Sequence, residues 1–177
     1  SSRLWPHGRS RSSPPRLHVM SSPSMGQRAR MSQQVRAWAA SVSSSTELTL
    51  RVSGIPAEFT KAALQQVIRN KGFADTYDYL YLPRCYSSRA CAGCAFINMV
   101  TEEIAWQFID SMEGIAMPDG SVLSVRVATT QGLAENMVRW CRRHSHRVRD
   151  AEVLPFVRAL HTLGIVHPSQ VPLVDEP

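Results

Sequence analysis

The chain has 177 residues, of which 44% are hydrophobic and 19% are charged. This is enough for one ordinary domain with a core and tails, and no run approaches the ~20 apolar residues of a membrane-spanning helix. The net charge is +6, but it is unevenly spread. Residues 1–46 carry seven arginines and no acid, residues 47–130 carry seven basic residues against nine acids, and residues 131–149 carry five arginines against one acid. A polyanionic partner would therefore be attracted to the flanks of the domain rather than to its centre.

Residues 1–45 are rich in Ser, Arg and Pro, and the bias is strongest from Arg9 to Pro15. Such a segment buries too little apolar surface to offset its ordering entropy, so we predict a disordered tail in which Val35 to Ala40 forms at most a short helical turn. Three roles remain open. The tail is a solvated linker, an arm that contacts RNA, or an Arg-rich and acid-free organellar transit peptide.

Alternating and helical patterns follow in a regular order. Leu48, Leu50 and Val52 alternate with polar residues and predict a strand that ends before Gly54 and Pro56. Thr60 and Thr101 each precede a stretch with apolar residues at helical spacing, which predicts two N-capped helices. The first helix has the apolar positions Leu64, Val67 and Ile68, and the second has Ile104, Ala105, Phe108, Ile109 and Met112.

Two central strands lie between these helices. Tyr79 to Leu82 alternates rings with leucines and stops at Pro83, and Cys94 to Met99 follows Gly93. We predict that one face of this antiparallel pair presents the side chains of Tyr79, Tyr81, Cys94 and Phe96. The core face then receives Leu80, Leu82, Ala95 and Ile97, since a shift of one residue would expose the leucines.

A final strand is predicted around Leu123, Val125 and Val127, with Arg126 facing the same side as Arg51. The order strand, helix, strand, strand, helix, strand predicts an α+β, ferredoxin-like fold: a four-stranded antiparallel sheet with both helices on one face and the other face open.

Two further apolar patterns follow the sheet. Residues 133–149 predict a helix with arginines in its later turns and with Trp140 buried. Leu154, Phe156, Val157, Leu160 and Leu163 form the second pattern, which ends at Gly164. We therefore divide the chain into a tail (1–45), a domain (46–132), a helical extension (133–167) and a second tail (168–177).

The four cysteines are few, and two lie within or beside strand sequence, which favours free thiols in a reducing compartment such as the nucleus or cytoplasm. Cys91 and Cys94 form one CxxC pair with no matching second pair, and the pair leads into a strand rather than opening a helix. We therefore expect no metal, no redox role and no cofactor. No set of residues has the context of a catalytic site, so we expect neither an enzyme nor a small-molecule substrate.

The central segment resembles an RNA-recognition motif, and more narrowly the C-terminal motif of the mei-two-like meiosis regulators of fungi, plants and algae. The resemblance runs from about Thr46 to Gly132. Its most specific parts are YDYLYLP (77–83), Cys91 before GCAFIN (93–98), GIP (54–56) before Phe59-Thr60, and the closing Gln131-Gly132. It implies an RNA-recognition-motif sandwich that binds single-stranded RNA in post-transcriptional control.

By this resemblance, bases would stack on the open sheet face. Only Phe96 remains of the three usual rings, because Arg51 and Cys94 occupy the other two positions. Arg51 has a guanidinium plane that can stack on a base, and Tyr79 and Tyr81 add rings on the second strand. The predicted RNA-binding residues are Phe96, Arg51, Tyr79, Tyr81, Cys94 and Arg126. Weaker candidates for phosphate contacts are Arg84, Arg89, Arg139, Arg142 and Arg143.

Each of these residues also has a purely structural reading: the tyrosines can pack under a flanking helix, and the arginines can be solvated. The alternative function is a degenerate RNA-recognition fold that binds a protein or its own helix. The position of residues 133–149 discriminates the two, because a helix over Phe96 favours the alternative or an autoinhibited form of the RNA-binding module.

Overall fold

The computed structural model describes residues 24–43, 48–85, 87–144, 148, 150–165 and 167–171. Within these ranges the secondary structure follows the predicted order and adds elements at both ends. The elements are α1 (Met25–Val42), β1 (Leu48–Ser53), α2 (Lys61–Asn70), β2 (Tyr77–Tyr81), β3 (Cys94–Met99), α3 (Glu102–Met112), β4 (Ser124–Val127), α4 (Leu133–Arg143), β5 (Phe156–Val157), α5 (Arg158–Thr162) and a 3-10 turn (Pro168–Gln170). No described helix is long and apolar enough to cross a membrane.

The strands form one antiparallel sheet in the order β4-β1-β3-β2-β5. The α+β fold class is therefore confirmed, but the sheet has five strands rather than four. The fifth strand corrects part of the prediction that residues 133–167 form a helical extension. Phe156 and Val157 pair with Leu80 and Tyr79 of β2, and only Arg158–Thr162 is helical.

Helices α2 and α3 cover one face of the sheet, where the predicted core is confirmed. Leu80, Leu82, Ala95 and Ile97 are buried there, together with Phe108 of α3. The predicted N-caps are also confirmed: Ala63 N donates to Thr60 Oγ1 at 3.1 Å, and Ile104 N donates to Thr101 Oγ1 at 3.2 Å.

Gly54 lets the chain make a close approach at the end of β1. Its φ is +80°, and a Cβ at this position would lie 2.0 Å from the carbonyl oxygen of Val122. No other residue could occupy the position without moving the backbone that precedes β4.

The prediction of disorder over residues 1–45 is wrong for residues 25–42, which form α1. Ser24 caps this helix, and Gln27 completes a capping box in which Gln27 N donates to Ser24 Oγ at 3.3 Å. Val35, Trp38 and Ala39 are buried against the rest of the molecule. Residues 1–23 and 44–47 lie outside the described residues, and so do residues 145–147 and 149 of the longer predicted helix and residues 172–177 of the second tail.

The second face of the sheet is not open. Helix α4 lies on it and α1 packs on α4; we call this pair, Met25–Val42 and Leu133–Arg143, the helical cover. A second apolar core fills the space beneath, with Met137, Trp140 and Cys141 of α4 packed near Tyr79 of β2. This covered face contains most of the residues predicted to bind RNA.

Candidate nucleic-acid interface

Three rows of side chains cross the covered face of the sheet, as the strand register requires. The inner row consists of Tyr79, Asn98 and Thr49. The middle row consists of Tyr81, Phe96, Arg51 and Arg126. The outer row consists of Cys94, Ser53 and Ser124. The prediction that Tyr79, Tyr81, Cys94 and Phe96 share a face is thus confirmed.

The helical cover closes the inner row completely. Tyr79 is 1% exposed, and Asn98 and Thr49 are both 0% exposed. The predicted contact between Tyr79 and RNA is incompatible with this burial, and the structural reading holds for this tyrosine. Burial also raises the pKa of the Tyr79 phenol well above its ordinary value.

A β-bulge explains why Tyr77 and Tyr79, two residues apart, lie on opposite faces. Tyr77 is opposite Met99 and Tyr79 is opposite Asn98, so the register shifts between the two tyrosines. Tyr77 then packs on the core side, edge to face with Phe156 at 5.6 Å between ring centroids. The extra residue, Asp78, accepts a hydrogen bond from Asn98 Nδ2 at 2.8 Å.

A buried polar network holds α4 on the inner row. Thr49 Oγ1 donates to Asn98 Oδ1 at 2.6 Å and accepts from Asn136 Nδ2 and Gly132 N, both at 3.0 Å. Buried polar groups are costly unless they are paired. The network therefore favours the observed position of α4 over other positions in which the helix would bury a similar apolar area.

Gln131 continues the sheet ladder where β4 ends. Its side-chain Oε1 accepts from Thr49 N at 2.8 Å, and its Nε2 donates to Thr49 O at 3.0 Å. The side-chain amide thus takes the place of a further β4 residue beside β1. The Gln131-Gly132 pair, noted in the sequence only as part of a resemblance, starts α4 directly over the inner row.

The middle row is half covered. Phe96 and Tyr81 are half-buried and border a small pocket of about 20 Å³ under α4, whereas Arg51 is exposed. Arg139 and Arg143 of α4 line the same pocket. The structure therefore brings Phe96, Arg51 and two of the predicted phosphate-binding arginines to one boundary between sheet and helix.

The Tyr81 ring is fixed from the cover side. Its hydroxyl lies 3.1 Å from Nε2 of His144, whose ring stacks on Trp140 at 4.7 Å between centroids. Burial raises the Tyr81 pKa to about 12, although the nearby Arg143 guanidinium lowers it. Tyr81 is thus held by the cover and is only partly accessible to a ligand.

Other predicted contact residues are engaged within the chain. Arg84, with a side chain 15% exposed, pairs with Glu152 at 2.8 Å and donates to the carbonyl oxygens of Phe59 and Arg89. Its predicted phosphate contact is incompatible with this arrangement, which ties the β2–β3 loop to the C-terminal segment. Arg89 is exposed and pairs with Asp150 at 3.2 Å.

Arg126 is the member of the middle row that lies on β4, an edge strand of the sheet. It pairs with Glu113 at 3.0 Å and donates to the Val125 carbonyl oxygen, while Val125 N donates to Glu113. The two side chains occupy the free edge of β4, which is otherwise able to pair with another strand. Cys94 is half-buried in the outer row, beside Ser53.

Sequence reasoning missed the residues that seat the cover, above all Asn98, Asn136 and His144. A signal was present for two of them. Asn98 stands at a position of β3 that alternation assigns to the same face as Phe96, and Asn136 lies among apolar residues of α4. Polar residues in such positions indicate a buried network rather than an open face. Among the described residues, no group of three or more His, Cys, Asp or Glu side chains is arranged to hold a metal ion.

The element order and the sheet order define an α+β sandwich of the RNA-recognition-motif class, extended by β5 and the helical cover. The family model described as RNA recognition motif 2 matches residues 47–141, more than half of the chain, and the chain belongs to this family. The match includes most of α4 and all four residues of the buried network, Thr49, Asn98, Gly132 and Asn136.

The resemblance to mei-two-like proteins is confirmed by sequence comparison. The chain is similar to Protein MEI2-like 3 of Arabidopsis thaliana, with 35% identity over 66 residues that cover 37% of this chain and 9% of the relative. It is also similar to Protein MEI2-like 5 of Oryza sativa subsp. japonica, with 32% identity over 92 residues that cover 50% of this chain and 11% of the relative. The chain therefore matches about a tenth of the length of these curated relatives.

Among solved structures, the Rna15 RRM with bound RNA aligns with a TM-score of 0.44 and 14% identity, covering 54% of this chain and 97% of that chain. The Sex-lethal RNA recognition domains 1 and 2 from Drosophila melanogaster align with a TM-score of 0.41 and 23% identity, covering 46% of this chain and 49% of that chain.

Proposed function

We propose that the chain is a non-enzymatic module that binds single-stranded RNA on the accessible part of its sheet, within a mei-two-like protein acting in post-transcriptional regulation. The observation that supports it best is the middle row. Phe96 lies between Arg51 and Tyr81 on neighbouring strands, with Arg139 and Arg143 of α4 bordering the same pocket. One ring, one exposed guanidinium plane and adjacent cationic side chains are the components that sequence-tolerant binding of single strands requires.

In this proposal a base stacks on the exposed part of Phe96. Arg51 stacks on a neighbouring base or contacts its phosphate. The site is narrower than an uncovered sheet because the inner row is closed by α4. We therefore expect only a small number of bases to contact the sheet, on its middle and outer rows. The expected location of such a module, the nucleus or cytoplasm, is part of the proposal.

The test replaces Phe96 by Ala and measures affinity for a short single-stranded RNA pool of randomised sequence. Losing one base stack costs ~1–3 kcal/mol, which corresponds to a roughly 5- to 150-fold weaker Kd. Trp106→Ala is the matched control, because Trp106 is an exposed ring, 49% accessible, on α3 at the other side of the sandwich. An unchanged Kd in a folded Phe96→Ala protein, or an equal loss in Trp106→Ala, would contradict the proposed site.

The second candidate is a protein-interaction module, favoured by the burial of the inner row under the chain's own helix. A groove of about 960 Å³ between α2 and the β5–α5 segment offers space for a partner on the other side of the molecule. The same titration separates the candidates. Saturable binding of the wild-type protein to the RNA pool supports the first, and its absence at low salt supports the second.

A further inference from the structure

A line of arginines leads from the middle row onto the helical cover. Arg139 and Arg143 border the pocket that contains Phe96 and Tyr81. One turn before Arg139, Glu135 pairs with Arg36 of α1 at 2.8 Å. We call Arg143, Arg142, Arg139 and Arg36 the arginine ridge. The ridge joins the sheet site to α1, a helix that precedes the first strand of the domain.

The positive charge of the described molecule is concentrated on this cover. The two helices contain six arginines, Arg28 and Arg30 in addition to the ridge, and one acid, Glu135. The described residues between 48 and 130 contain seven basic and eight acidic side chains. An RNA strand that leaves the middle row is therefore attracted towards the cover and not along the remainder of the sheet.

The ridge arginines are available for phosphates in a way that Arg84 is not. Arg142 and Arg143 are exposed and form no ion pair with any described residue. Within the same part of the chain, Arg139 donates only to the neutral hydroxyl of Thr130, at 2.7 Å. Arg36 and Glu135 are 51% and 48% exposed, and such surface pairs contribute little to stability. Arg36 can therefore exchange Glu135 for a phosphate without disturbing the fold.

We propose that the arginine ridge binds the phosphates of nucleotides that flank those on the middle row, so that the RNA leaves the sheet across α4 and reaches Arg36 of α1. This inference rests on the proposed function, because the phosphates on the ridge belong to the same RNA strand whose bases bind the middle row. The closed inner row determines which way the RNA leaves the middle row. Tyr79, Asn98 and Thr49 are buried under the cover, so no sheet surface is available there for further bases. Glu135, the one acid of the two cover helices, then repels the RNA on this path.

The test uses two variants that break the same ion pair from opposite sides, Arg36→Gln and Glu135→Gln. Affinity is measured over a salt series for a short RNA of about 4 nucleotides and a long one of about 12, which lie within the site sizes of single-strand modules. For the long RNA, Arg36→Gln should weaken binding and reduce the slope of log K against log salt by about 0.7, the value for one lost phosphate contact. Glu135→Gln should strengthen binding of the long RNA.

Both variants should bind the short RNA as the wild-type protein does, because Arg36 and Glu135 lie beyond the sheet site. Arg69→Gln is the matched control, since Arg69 is an exposed arginine at the end of α2 on the other layer. Arg69→Gln should leave the affinity for both RNAs unchanged. If loss of the ion pair only loosens the cover, Arg36→Gln and Glu135→Gln will change the affinity for the long RNA in the same direction, which would overturn the inference.

Failure of the ridge and failure of the proposed function give different results. If the wild-type protein binds the short RNA through Phe96 but Arg36→Gln leaves the long RNA unaffected, only the ridge is refuted. If the wild-type protein binds neither RNA at low salt, both are refuted.

Discussion

The two faces of the sheet are both covered by helices, but different physical chemistry holds each cover in place. On the α2–α3 face the core is predominantly apolar, with Leu80, Ile97 and Phe108 in one continuous cluster. On the α4 face, apolar packing around Trp140 surrounds a buried polar network of Thr49, Asn98 and Asn136. Apolar contacts are non-directional, whereas hydrogen bonds require defined partners. The first face therefore depends mainly on the pattern of apolar residues, whereas the second specifies a single register for its helix.

The largest effects should come from removing one large ring from each face. Phe108→Ala should lower the free energy of unfolding by ~3–5 kcal/mol, because it leaves a cavity in the main core. Trp140→Ala removes a large ring from the core between the cover and the sheet, and this loss should chiefly destabilise the packing of α1 and α4. Hydrogen exchange followed by mass spectrometry checks this. Phe108→Ala should accelerate exchange in β1 and β3, and Trp140→Ala should do so mainly in the two cover helices. Equal acceleration of β1 and β3 by both variants would show that the faces are not separate units.

A smaller effect is expected from the polar network. Asn136→Ala removes one of the two donors to Thr49 Oγ1, the other being Gly132 N, and should cost ~0.5–1.5 kcal/mol, the net contribution of one hydrogen bond. Thr49→Val removes the other side of the same contact. Urea unfolding of both single variants and the double variant should give a coupling energy of ~0.5–3 kcal/mol. Additive losses would mean that the network does not act as a unit, and that packing alone positions α4.

The smallest effect should be a loss of stability at alkaline pH that originates under the cover. Burial raises the pKa of Tyr79 well above its ordinary value, and raises the pKa values of Tyr81 and of the Cys141 thiol to about 12 each. The folded state therefore retains protons that the unfolded chain releases at the ordinary pKa values of Cys and Tyr. The contribution of these groups to the free energy of unfolding is complete below about pH 8.5 and declines as the pH rises towards about 12.

Thermal unfolding measured from about pH 8 to about pH 11 should detect this decline, and Tyr79→Phe should make it shallower because the most deeply buried phenol is gone. A melting temperature that is constant over this range, or a Tyr79→Phe protein with the same pH dependence as the wild type, would argue against titration beneath the cover.

Much of the central domain was predictable from the sequence because its signals are local. Alternation placed Leu50, Leu80 and Ile97 in the core, and the threonine caps at 60 and 101 marked the helix starts. The capping box at Ser24 and Gln27 was a local signal of the same kind, and it identifies α1 within a segment whose composition indicated disorder. Composition averages over the whole segment, whereas α1 is held by local features, a capping box and three buried apolar residues, Val35, Trp38 and Ala39.

The candidate site was only partly predictable. Phe96, Arg51 and the two tyrosines do share one face of the sheet, as period-two alternation requires. Which of them remains accessible depends on a helix that begins more than thirty residues after β3. Arg84 and Arg89 were expected at phosphates because they lie in a polar loop, but Glu152 and Asp150 reach them from the C-terminal segment. No periodicity within the loop carries information about those partners.

The sequence by itself determined the strands and helices of the domain, the side of each strand that enters the core, and the family to which the chain belongs. Only the tertiary structure decided that the second face is closed over Tyr79, half-closed over Phe96 and open at Arg51. The reason is the range of the interactions. Backbone preference and alternation act between residues near in sequence, whereas the cover is positioned by contacts such as Asn136 with Thr49 and Gln34 with Val171, which join distant parts of the chain.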